Sequence, residues 1–164
     1  MTSTRTHTFE WSDPALCIAG VEGRTGLEYL LAIIAGQVPQ APISATLEFY
    51  LVGASERFAR FECMPSERLL NPMGTLHGGV MSTLLDSAMA AAVLSALDAA
   101  TAYTTAQLSV NLTRAGTLKS GRLVAEGRVV HLGGKLATAE GKLVDDKGNL
   151  LAHGTTTCLL MPRK

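Results

Sequence analysis

The segment NPMGTLHGGVMSTLLDSAMAAAVLSAL, Asn71 to Leu97, constrains this chain more than any other stretch. Its spacing and composition predict a helix over about 77–97 in which the only polar residues past the opening turn are Ser82, Thr83, Asp86, Ser87 and Ser95. A helix that is apolar around its circumference must be buried on most sides. Alanine and serine let other backbone approach closely, so a sheet can wrap one side while a second copy of the helix covers the other. The composition of this helix therefore points to a dimer.

Within it, Asp86 needs an account, because burying a carboxylate is costly unless it is paired or hydrogen-bonded. Either it bonds a neighbouring hydroxyl, or it faces water at a gap, or it does chemistry. Gly78 and Gly79 open the helix and leave backbone N–H groups and the positive end of the dipole uncovered by side chains. Such a site can hold a carbonyl oxygen as it becomes an oxyanion, although an ordinary tight turn also takes glycine. Asp86 follows Gly78 by eight positions, about 12 Å along the axis, so one subunit cannot bring both to one carbon. Two helices packed antiparallel across a two-fold axis would set each aspartate beside the start of the other helix.

The rest of the chain reads as an N-terminal arm, residues 1–22, with Trp11 as a possible anchor, followed by a single domain, 23–164. Leu27, Leu30, Leu31 and Ile34 recur at helical spacing, with Gly36 and Pro39 as a stop. In ISATLEFYLVGASERFARFECMP the alternation of Ala45, Leu47, Phe49 and Leu51 predicts a hairpin broken at Gly53 to Glu56. The second half carries four strand signals separated by Gly-containing or Asp-Lys-Gly turns. In HLGGK a three-residue loop, Gly133 to Lys135, would set Arg128 opposite Glu140 and Glu126 opposite Lys142. The expected class is α+β: a short N-terminal helix, then a curved antiparallel sheet of about six strands around one long central helix.

Composition narrows the partners. Fourteen Lys and Arg balance fourteen Asp and Glu, with no basic stripe to follow a phosphate backbone. Cys17, Cys63 and Cys158 are scattered and odd in number, which argues against a disulfide framework or zinc site and for a cytoplasmic setting. The N-terminus lacks the apolar core of a signal peptide, and LEYLLAIIA is too short to span a bilayer. A soluble protein with no metal, nucleic-acid or membrane partner is expected.

Asn71, Gly74, His77, Gly78, Gly79 and Asp86, with the flanking segments RTGLEYLLAIIAGQVPQAPI, YTTAQLSVNL, AEGRVVHLGGKLATAEGKLVD and LLAHGTTTCL, resemble the hotdog-fold acyl-CoA thioesterases, in the phenylacetyl-CoA-thioesterase-like (PaaI-type) branch. That resemblance implies a homodimer with a continuous sheet, often a dimer of dimers, and an active site at the dimer interface. It implies an aryl- or acyl-CoA substrate, with coenzyme A part of the substrate and no separate cofactor. The Gly78 amide would polarise the thioester carbonyl, with His77 shaping the turn. Asp86 of the other subunit would attack the carbonyl carbon or activate water, Asn71 would position water or the carbonyl, and Thr105, with Thr104 next, would orient Asp86.

On the same resemblance Gly79, Met81, Leu85 and Met89, with Met73, would shape the substrate site at the dimer seam, and Gly134, Lys135 and Arg114 would hold the CoA phosphates. His131 and His153 receive no role. Where the family commonly has an aromatic residue and a proline, this chain reads NLTRAG, Asn111 to Gly116. A non-catalytic acyl-CoA binder is the alternative function; hydration or dehydration of the acyl group ranks last, since the proline-rich motif of related dehydratases is missing.

Overall fold

The computed structural model describes residues 3–163. Three short helices, α1 (Pro14–Val21), α2 (Gly26–Ile34) and α3 (Pro42–Leu47), precede strands β1 (Phe49–Ser55) and β2 (Phe58–Cys63). The long helix α4 (Gly78–Leu94) follows, then β3 (Thr101–Leu112), β4 (Leu123–Leu132), β5 (Leu136–Val144) and β6 (Leu150–Pro162). All neighbouring strands are antiparallel, in the order β1-β2-β4-β5-β6-β3. The sheet curves around α4, as its apolar circumference requires.

Leu84, Leu85, Ala88, Met89, Ala92 and Val93 of α4 are fully buried against Phe49, Ala59, Leu123, Ala125, Ala137, Ala139 and Leu143. The helix comes this close because Gly127 and Gly141 lie opposite each other beneath it. A β-carbon on Gly127 would sit 2.3 Å from the Ala88 carbonyl oxygen, and one on Gly141 2.8 Å from Met89 Cγ. Backbone therefore meets helix directly.

Several local expectations change. The 1–22 arm contains α1, which Asp13 caps through the Ala15 amide, with Pro14 in the first turn. Trp11 is 62 % exposed and packs on Phe9, ring centroids 5.8 Å apart; the segment is tied to the domain by Arg5 to Glu67 and by His7 to Glu48 at 3.3 Å. In α2 the buried residues are Gly26, Leu30 and Ala32, while Leu31 and Ile34 face outward. Ala45 and Leu47 belong to α3, which Pro42 starts and left-handed Glu48 ends, so β1 begins only at Phe49. The β1–β2 turn falls at Glu56 and Arg57, and Val52, just before Gly53, is a bulge. The central helix stops at Leu94, three residues short of expectation.

In the β4–β5 hairpin, Arg128 lies opposite Glu140 and Glu126 opposite Lys142, with three residues between the strands. The pair nearest the tip is Leu132 with Ala137, one residue out of step, and a bulge at Val130 restores the register. Glu126 pairs with Arg60 at 2.6 Å and Lys142 at 3.4 Å, whereas the Arg128 guanidinium lies over Phe58, 4.5 Å from the ring centroid.

The two sheet edges differ. On β1 the Gln40 side chain donates to the Leu51 carbonyl and accepts from its amide, both at 3.1 Å, blunting that edge. The twelve-residue β3 pairs with β6 on one side and leaves the other side open. Among the described residues no helix is long and apolar enough to cross a membrane.

Candidate active site

The candidate residues fall into two groups at opposite ends of one helix face. Gly78, Gly79, Ser82, Thr83, Asp86 and Ser87 are the residues of α4 that the sheet leaves incompletely covered. The Ser82 and Thr83 hydroxyls donate back to the carbonyls of Gly78 and Gly79, each at 2.9 Å. These hydroxyls satisfy themselves on their own helix rather than supporting Asp86.

At the helix start, His77 is the N-cap, and its Nδ1 accepts the Gly79 amide at 2.9 Å. The amides of Val80 and Met81 turn to the His77 carbonyl. Among the described residues the Gly78 amide has no acceptor, so it is the free donor at the positive end of α4. The loop ahead is fixed by Asn71, whose Oδ1 accepts from Met73 and Thr75 amides at 2.9 and 3.2 Å and whose Nδ2 donates to Thr75 Oγ1 at 2.9 Å. Asn71 is thus spent largely on its own turn, a positioning duty different from the expected grip on water. Asn71, Gly78, Met81, Leu112 and Arg114 line one cleft of about 240 Å³.

Two turns further along the same face, Thr105 Oγ1 donates to Asp86 Oδ1 at 3.1 Å. Of the two adjacent threonines, Thr105 is the one that reaches the acid. A bulge at Ala106 adds an extra residue to β3 here, a common device for re-aiming a side chain beside a site. Asp86 has two titratable neighbours. Burial raises the pKa of Tyr103, and the charges of Cys158, Asp86 and Tyr29 push it the same way. Burial likewise raises that of Cys158, against the hydrogen bonds of Thr105 and Thr156 and with the charge of Asp86.

The remaining candidates scatter. Leu85 and Met89 are fully buried in the protomer core, on the side of α4 that meets the sheet, and do not line the cleft. Met73 is 85 % exposed. Gly134 and Lys135 form the β4–β5 tip, exposed and at the Thr105 end of the sheet, since Ala137 pairs with Cys158 and Cys158 with Thr105. Arg114 lies at the other end, beside Gly78.

A family model for the thioesterase superfamily matches residues 73–152, from the loop ahead of α4 to the start of β6. Over that segment the chain is similar to the thioesterase superfamily, and its fold is the hotdog fold. Thioester hydrolysis is the chemistry that similarity carries. Similar solved structures include a thioesterase family protein of Silicibacter pomeroyi (23 % identity, covering 82 % of this chain and 99 % of that one, TM-score 0.73). A phenylacetic acid degradation-related protein of Ralstonia eutropha JMP134 matches at 24 % identity over 80 % of this chain and 98 % of its own, TM-score 0.72. The Escherichia coli PaaI protein from the phenylacetic acid degradation operon matches at 19 % over 82 % and 95 %, TM-score 0.72. No curated protein matches the sequence significantly.

In this hotdog domain sequence reasoning missed Tyr103, Cys158 and Leu112. Tyr103 was within reach, two residues before Thr105 and so on the same face of a regular strand. Leu112 was not: it shares that face only because of the Ala106 bulge, which no residue type announces.

Proposed function

We propose that two copies of this chain join along β3 and hydrolyse an aryl- or acyl-CoA thioester at two shared sites. The observation that carries the proposal is the division of one helix face into an Asp86–Thr105 end and a free Gly78 amide end. Eight residues separate them, about 12 Å along the axis, so neither end suffices alone.

The open edge of β3 supports self-pairing, and its side chains suggest the register. Thr105 and Leu112 both turn toward α4, the first to Asp86 and the second to Gly78. If Ala106 is skipped as a bulge, a two-fold axis through Ser109 sets Leu108 opposite the partner's Val110. Gln107 then meets the partner's Asn111, and Thr105 the partner's Leu112. Directly opposed residues share a sheet face, and each of these pairs does; the first two also match aliphatic with aliphatic and amide with amide. Asp86 of one copy then lies beside Gly78 of the other.

In that arrangement the Gly78 N–H donates to the thioester oxygen and stabilises the charge that develops on it. Thr105 occupies Asp86 Oδ1, which leaves Oδ2 to take a proton from attacking water, or to attack the carbonyl carbon itself. The tetrahedral intermediate collapses with loss of the CoA thiolate, which leaves as the thiol after protonation. His77 holds the Gly79 amide and so shapes the turn. Arg114 and Lys135 are the exposed cations at the two ends suited to CoA phosphates.

Asp86→Asn should lower kcat by about 10²–10⁴-fold, the usual worth of a positioned acid or base, while gel filtration shows an unchanged dimer. Retained turnover across phenylacetyl-, hydroxybenzoyl-, short- and medium-chain acyl-CoA would reject the mechanism. Binding of these esters without thiol release by the unaltered protein would favour a non-catalytic binder. Single turnover in ¹⁸O-labelled water tests the nucleophilic route: carboxylate attack with loss of thiolate makes an aspartyl–acyl anhydride, and water that opens it at the aspartyl carbon leaves label in the protein, which general-base catalysis does not.

A further inference from the structure

Leu112 occupies an unusual position for an apolar residue. It is 52 % exposed at the end of β3, yet its Cδ1 would lie 2.6 Å from a β-carbon built on Gly78. The leucine thus fills the space that the glycine leaves empty, directly beside the one free amide of the α4 start. Met81 and Leu76 supply further apolar wall, Arg114 is the charged group of the lining, and the whole cleft is only about 240 Å³, at or below the lower end for small-molecule sites. Backbone bonds from Thr113 and Arg114 to the Leu151 carbonyl, at 2.9 and 3.1 Å, fix the strand end that carries the side chain.

We infer that Leu112 is the specificity-determining residue of the acyl site: its side chain limits the bulk of the acyl group next to the thioester carbonyl held at Gly78. The inference rests on the proposed reaction and names the feature of the substrate that the site measures. Compact or unbranched acyl groups pass the leucine. Groups branched near the carbonyl, or aryl rings attached directly to it, meet the leucine before their oxygen reaches the amide.

The test compares the unaltered protein with Leu112→Ala and Leu112→Met. For acetyl-, isobutyryl-, benzoyl- and phenylacetyl-CoA, kcat/KM is measured by thiol release; for S-propyl-, S-isobutyl- and S-benzyl-CoA thioethers, which cannot be hydrolysed, affinity is measured by calorimetry. Leu112→Ala should raise the bulky-to-compact ratio by about ten-fold or more, the scale on which pocket methylenes discriminate, in both series. Leu112→Met, similar in volume, should leave it within about two-fold. An unchanged ratio in a Leu112→Ala protein with normal melting and dimer size overturns the inference, as does failure of the unaltered protein to bind any thioether. Absence of thiol release alone sinks the hydrolase proposal and leaves the thioether series to decide the role of Leu112.

Discussion

At the scale of single residues, the site turns on which groups are already occupied. The polar atoms of Asn71 fix the loop ahead of α4, and His77 Nδ1 caps the helix through the Gly79 amide. Thr105 looks interchangeable with Thr104, and it is the one bonded to Asp86 at 3.1 Å. A hydrogen bond to a charged group is worth about 1.5–3 kcal/mol, so Thr105→Val should cut kcat roughly 10- to 100-fold with little change in KM, and Thr105→Ser should recover most of it. Steady-state kinetics on all three proteins check this; equal kcat values would reduce Thr105 to a structural cap. The Thr104–Thr105 ambiguity was not resolvable from sequence, because adjacent strand residues point to opposite faces and nothing in their type says which face holds the acid.

At the scale of elements, the β2–β4–β5 charges both report the register and contribute to stability. Burial works to raise the Glu126 carboxyl, but the Arg60 hydrogen bond and charge, joined by Lys142, bring its pKa below the ordinary carboxylate value. A carboxylate with a depressed folded-state pKa stabilises the fold above the unfolded-state pKa, and that contribution fades as pH falls through the folded value. Glu126→Gln should therefore melt lower than the parent at neutral pH, by about 1 kcal/mol or less for a partly exposed network. The gap should close as pH drops below about 4.3. Melting curves from pH 7 to 3 check it; a gap that widens in acid contradicts the sign.

These same charges made the hairpin legible in advance, because only one alignment pairs opposite signs. The bulge at Val130 that delivers this alignment was not legible. The central helix could be read because its pattern admits no exposed side, and the glycines beneath it could not, since their purpose lies in a helix distant in sequence. The β1 boundary failed for the opposite reason: Ala45 and Leu47 fit a strand alternation, but Pro42 opens a helix there.

At the scale of the whole molecule, the two sheet edges receive opposite treatment. Gln40 closes the β1 edge with its side chain, and β3 stays open along twelve residues. If Ser109 lies on the two-fold axis, it faces itself, with Cα atoms about 4.5–5.5 Å apart, inside the range a disulfide spans. Ser109→Cys should thus form a covalent dimer under mild oxidation, seen on a non-reducing gel, while Gln107→Cys alone should not. The reverse outcome would move the axis.

The eight-residue offset along α4 also makes each copy a donor of one half and a recipient of the other. As homodimers both should be nearly inactive: Asp86→Asn keeps the amide but lacks the acid, and Gly78→Val keeps the acid but puts a side chain into the space beside its amide. Mixed in equal amounts after denaturation and refolding, they should regain about a quarter of the unaltered turnover, because half of the random pairs then hold one intact centre out of two. A site contained within a single copy would yield no recovery at all, whatever the proportions mixed.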